Sequence, residues 1–288
     1  MATPRPLSSI VVPIDFSEGS ELALARALHL PVGPKTKLTL LHVLPDDIPG
    51  VLRKQAIAEA ERGLEKVLGR LHRAAEEHGL APSQFVADVV EGDAATQILK
   101  RARTVEADLV CMGRHGKRPV VDLFIGSTAL KVVKRGDVPV LVVKHPAQAR
   151  YRTVLVALDV SQKDGRVLRG AAAILDPAVR VSALTVAAVP FEGYVELTGA
   201  QVTTYREQAR KAATLALREM LKKSPLRVSP KVLLGDARVL VLDEAQTMGA
   251  ELVVVGASTR KGLERLLVGS VAQWVLEKAR CDVFVTRG

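Results

Sequence analysis

The chain has 288 residues, 48% hydrophobic and 25% charged, a globular balance that excludes wholesale disorder. Two cysteines, Cys111 and Cys281, exclude a disulfide framework, and no apolar run approaches the roughly 20 residues of a membrane span. The net charge of +10 divides as 20 basic against 17 acidic residues up to Ala149 and 21 against 14 beyond it, with no long basic block.

Apolar runs of strand length fall near 9–15, 37–44, 84–90, 108–113 and 138–144, with helical patterns between them at about 18–29, 51–79, 94–106 and 126–135. The series then repeats. Strands are expected near 152–158, 180–187, 228–234, 251–256 and 282–286, and helices near 161–175, 199–223, 237–249 and 269–279. Four blocks recur in order: SIVVPID (9–15) with TVLVALD (153–159), and VEGDAATQIL (90–99) with LLGDARVLVL (233–242). ADLVCMG (107–113) pairs with AELVVVG (250–256), and FIGSTALKVV (124–133) with LVGSVAQWVL (267–276). The offset is 144 for the first block and 143 for the rest. This is a tandem duplication. Strict alternation predicts an α/β fold in each half, a parallel sheet with helices on both faces. The connector HPAQARY (145–151) sets the expected domains at 1–147 and 148–288.

The chemistry concentrates in GRHGKRPVVDLFIGST, residues 113–128, which runs from the end of the fourth strand to the start of a helix. Met112 and Gly113 end that strand, and Gly113 is expected to turn sharply without a Cβ clash. Gly116 is expected to give a second tight turn or a close approach to a ligand, with His115 beside it. Gly126, Ser127 and Thr128 open the helix, where unpaired N–H groups favour a phosphate. Asp15, ending the first strand, faces the same crevice and suits a ribose hydroxyl. Taken singly, strand-end glycines and helix-start serines are more often structural. Their joint spacing is the signal.

That spacing, Gly113 and Gly116 followed by nine residues and then Gly126–Ser127, resembles the ATP-binding members of the universal stress protein family. So do Pro13, Asp15 and Ser17 after the first strand, His42–Val43 on the second, and Val138–Pro139–Val140 at the last. The resemblance spans nearly the whole chain, twice. It implies two tandem Rossmann-like domains, each with a five-stranded parallel sheet, whose final strands meet. It also implies ATP as ligand, with Mg2+ as companion cation and the Val43 backbone at the adenine, in a regulatory or stress-response protein that forms a homodimer. Asp159, Val186, Gly256, Gly269 and Ser270 mark a second site. There Thr259 replaces Gly116 and Asp282 replaces the closing proline, so binding is expected mainly in the first half.

Other chemistries are weaker. No residue pattern pairs His115 with a nucleophile and an orienting acid. Gly-x-Gly-x-x-Gly and the P-loop are both missing. Cys111 reads as strand packing, and Cys281, next to Arg280, as the more reactive thiol. One Trp, three Tyr and five Phe leave little for stacking nucleic acid. The opening MATPRPLSS lacks the apolar stretch of a secretory signal, so a soluble, cytoplasmic protein with no membrane partner is expected. The alternatives to an ATP-binding regulator are a nucleotide-independent interaction module and a slow ATPase. No catalytic residue is assigned.

Overall fold

The inner strands are built from Val, Leu and Ile and are buried on both faces, as in a sheet covered by helices on each side. In a computed structural model describing residues 6–116, 125–162, 165–188, 199–257 and 268–287, ten strands form one sheet. The first half contributes β1 (Ser9–Pro13), β2 (Lys37–Leu44), β3 (Phe85–Glu91), β4 (Leu109–Gly113) and β5 (Val140–Val143). The second contributes β6 (Thr153–Ala157), β7 (Arg180–Ala187), β8 (Val228–Leu234), β9 (Leu252–Gly256) and β10 (Asp282–Thr286). The strand order is β3-β2-β1-β4-β5-β10-β9-β6-β7-β8. All pairings are parallel except at the centre, where β5 and β10 run antiparallel with Phe284 opposite Leu141. The two final strands do meet, and by pairing they remove two apolar edges.

The helices of the first half are α1 (Glu18–Leu28), α2 (Gly50–Glu76), α3 (Ala94–Thr104) and α4 (Ser127–Arg135). Those of the second are α5 (Arg166–Ile174), α6 (Gly199–Leu221), α7 (Ala237–Thr247) and α8 (Ser270–Lys278). Each face of the sheet carries a core that runs through both halves. Ala23 and Leu64 of the first half share one with Leu168 and Leu217 of the second; Ile98 and Val132 share the other with Val241 and Val275. Among the described residues no helix is long and apolar enough to cross a membrane.

The repeated Gly-Asp pair shows how the sequence sets a helix start. Gly92 and Gly235 take φ of +134° and +140°, which side chains rarely adopt. The aspartates that follow cap α3 and α7: Asp93 accepts from the Thr96 N–H at 3.0 Å, and Asp236 from that of Arg238 at 2.8 Å. Asp282, which replaces the proline of the first half, anchors the seam instead. It accepts the Tyr151 hydroxyl at 2.6 Å and the Lys144 N–H at 2.8 Å, and pairs with Arg26 at 3.4 Å.

Candidate functional site

In each half the chain leaves the first strand toward one side of the sheet and returns to place the fourth strand on the other. A crevice opens where this direction switches, beyond the carboxyl ends of β1 and β4 or of β6 and β9. The first crevice holds a cavity of about 660 Å³, within the range of ligand pockets. Pro13, Asp15, Val43, Met112, Gly113, His115, Gly116, Gly126, Ser127 and Thr128 all line it. Leu41, Ile98 and Leu130 add apolar wall.

Ser17 does not line this cavity; it holds Asp15. Phe16 takes a left-handed φ of +61° and so brings Ser17 back toward the carboxylate, where its N–H at 3.1 Å and its hydroxyl both donate to Asp15 Oδ1. The same hydroxyl oxygen accepts from the Ser20 N–H at the start of α1. On the neighbouring strand His42 Nδ1 lies 2.6 Å from the Ile14 carbonyl, and in the second half the Thr185 hydroxyl donates to the Leu158 carbonyl at 2.8 Å. These contacts fix the turn that presents each aspartate. His42 is therefore a support for the site, with Val43 at the cavity wall.

The loop glycines are needed for a different reason than expected. None of Gly113, Gly116 and Gly126 has a positive φ. Instead, neighbouring atoms crowd them, backbone at Gly113 and Gly126 and the Asp15 carboxylate at Gly116. A Cβ on Gly113 would lie 2.4 Å from the backbone of Gly19, and one on Gly116 would lie 2.3 Å from Asp15 Oδ2. A Cβ on Gly126 would sit 3.0 Å from the Arg114 carbonyl. Gly19, whose own Cβ would strike the His115 carbonyl at 2.3 Å, belongs to this set and escaped the sequence reading. Its signal was a glycine in the first turn of a helix, a costly place for one unless something packs close.

At the far end, Gly126 offers no side-chain cap to α4, and its N–H is taken by the Arg114 carbonyl at 2.8 Å. The amides of the first turn, at Ser127 and after, are then the free positive end of the helix. The cavity thus joins an apolar wall, a braced carboxylate and a helix N-terminus. A nucleoside phosphate needs those three chemistries.

The second crevice holds about 440 Å³ and is lined by Asp159, Val186, Gly256, Gly269 and Ser270. Asp159 is held by Ser161 as Asp15 is by Ser17, at 3.0 Å from the N–H and 2.6 Å from the hydroxyl. The differences lie in the walls. Val167 and Met220 line this cavity, and a Cβ on Gly256 would meet the Val167 side chain at 2.7 Å. Where the first half packs bare backbone of Gly19, the second packs a valine. Thr259, the sequence departure that first suggested asymmetry, lies outside the described residues.

Both thiols are free and buried. Burial pushes Cys111 far up, and burial raises Cys281 to about 11 against the weaker opposing pull of Lys144, so Cys281 is the less suppressed of the two although burial disfavours both thiolates. Among the described residues no group of three or more His, Cys, Asp or Glu side chains could hold a metal.

A model of the universal stress protein family matches residues 7–144 and again 150–287. The universal stress protein Rv2005c of Mycobacterium tuberculosis is 27% identical over 100% of this chain and 99% of its own length. The universal stress protein MJ0531 of Methanocaldococcus jannaschii is 31% identical over 48% of this chain and 82% of its own. Among solved structures, PA1789 from Pseudomonas aeruginosa, described as functionally unknown, aligns with a TM-score of 0.66 at 21% identity, covering 98% of this chain and 92% of its own. A universal stress protein from Archaeoglobus fulgidus aligns at 0.64 with 17% identity, covering 97% and 98%. At those identities the two structures speak for the fold.

Proposed function

The chain belongs to the universal stress protein family as a tandem member, which supports a stress-response role, and from that premise we propose that it binds ATP, mainly in its first half. The observation that carries this reading is the convergence of Asp15, the closely packed glycine loop at 113–116 and the uncapped start of α4 on one cavity. The adenine takes the apolar wall at Val43 and Met112, and the ribose hydroxyls donate to Asp15. The phosphates accept from the amides and hydroxyls of Ser127 and Thr128. Mg2+ enters with the nucleotide, held chiefly by phosphate oxygens and water, as that cation commonly is. The second cavity, with Val167 and Met220 in its wall, binds more weakly.

Mass spectrometry of nucleotide released from the denatured protein, followed by calorimetric titration of ATP into the emptied protein, tests the reading. A protein that carries no nucleotide and takes up none overturns it. The proposal extends to a homodimer. Sedimentation at a mass near 30.9 kDa at micromolar concentration overturns that part alone.

A further inference from the structure

The end of each final strand carries a basic side chain that crosses the central seam. Lys144 follows β5, and its ammonium donates to the carbonyls of Leu276 at 3.0 Å and Ala279 at 2.7 Å, at the C-terminus of α8. Arg287 follows β10 at the duplicated position, and its guanidinium donates to Val133 in the last turn of α4 and to Val138 at 3.3 Å. Cations belong at these sites, because the last carbonyls of a helix lack intrahelical donors and carry its negative end. The helices so held are the two whose N-termini open the cavities, α4 with Gly126–Ser127 and α8 with Gly269–Ser270.

The main chain closes the circuit. Beside Lys144, the Val143 carbonyl accepts the Arg114 N–H at 2.9 Å, and the Arg114 carbonyl accepts that of Gly126, so this strand end also holds the loop of the first cavity. Beside Arg287, the Thr286 carbonyl accepts the Ala257 N–H at 3.1 Å, at the loop of the second. Each strand end therefore touches its own cavity through the backbone and the opposite cavity's helix through a side chain. A nine-residue helix is a short rod of roughly 13 Å, so a tie at one end governs where the other end points.

We propose that Arg287 and Lys144 are positioning residues, each seating the ligand-facing helix of the opposite half, and that through them the two cavities are coupled. The assignment rests on the nucleotide reading for its ligand, but its geometry can be tested without one. In the full chain at pH 7, amide hydrogen exchange is compared for wild type, Arg287→Met and Lys144→Met. The expected pattern is crossed: Arg287→Met speeds exchange in α4 by about tenfold and spares α8, and Lys144→Met does the reverse. A general loss of stability would not move the two helices in opposite order.

Titration of ATP should then show Arg287→Met weakening the first cavity about three- to tenfold, the scale of one ordinary hydrogen bond, because the tie acts on the ligand only through the helix. Arg287→Lys, which keeps the charge, should recover most of that loss and also serves if the methionine variant does not fold. Exchange in α4 unchanged by Arg287→Met, or equal loosening of both helices, overturns the proposal. So does ATP affinity in Arg287→Met equal to a wild type that binds. A wild type that binds no ATP refutes the nucleotide reading alone, because the exchange pattern still decides the crossed ties.

Discussion

At the scale of single residues, the proposed site depends on one carboxylate held in place. Ser17 occupies Asp15 Oδ1, which leaves Oδ2 for a ligand, and Gly116 lies against that oxygen. Asp15→Ala should therefore cost on the order of 1–3 kcal/mol of ATP binding, or roughly 5- to 150-fold in affinity, by calorimetry. Asp159→Ala should matter less to the total bound. If the order of the two is reversed, the stronger site is in the second half. Gly116→Ala is a separate test: a methyl cannot remain 2.3 Å from Oδ2, so the carboxylate or the loop must shift. Affinity should fall at least as far as in Asp15→Ala, with the melting temperature little changed. The spacing of Gly113, Gly116 and Gly126 was legible in the sequence. Why Gly113 and Gly116 must be glycine was not, because the atoms that crowd them come from Gly19 and Asp15, about a hundred residues earlier.

Among the elements, most strands and helices lie where periodicity and composition put them, and the departures have local causes. The strand expected over 138–144 is paired only over Val140–Val143, after Pro139, which has no N–H to give. The helix expected from 161 begins at Arg166, after Gly165 at φ +62°. Caps are the other local determinant, and Asp93 offers a measurable one. Hydrogen bonds from the Thr96 side chain and then its backbone hold the Asp93 carboxyl below its ordinary value of 3.8. A depressed carboxyl adds stability that is present above the unfolded pKa and is lost as pH falls through the folded one. Asp93→Ala should thus cost about 1 kcal/mol in chemical denaturation at neutral pH, the usual worth of such a cap. Its deficit should shrink in acid below the ordinary carboxylate range. A deficit of equal size at pH 7 and pH 2.5 would mean that the charge of the cap contributes nothing.

For the whole molecule, the duplication announced two similar halves, but their joining was written in no single stretch of sequence. Asp282 looked like a lost proline. In the fold its side chain is 2% exposed and sits opposite an Arg26 side chain that is 8% exposed, from a helix of the other half. The Arg26 guanidinium also stacks 4.1 Å over the Tyr151 ring and donates to the Ala149 carbonyl at 2.8 Å, so it ties the connector to both halves. The Tyr151 hydroxyl, pushed well above its ordinary value by burial and then by the Asp282 charge, stays a donor to that carboxylate. Three residues separated by more than a hundred positions thus form one buried cluster on the seam. Removing the acid alone leaves a buried guanidinium without its counter-charge, a loss of about 3–5 kcal/mol, whereas removing both partners of such a pair is often close to neutral. Asp282→Ala should therefore lower stability by that amount in chemical denaturation, and Asp282→Ala with Arg26→Met should recover part of it. If the double variant is as unstable as the sum of the two single ones, Arg26 and Asp282 act independently. The seam would then be held by the pairing of β5 with β10 and by the shared cores, without this cluster.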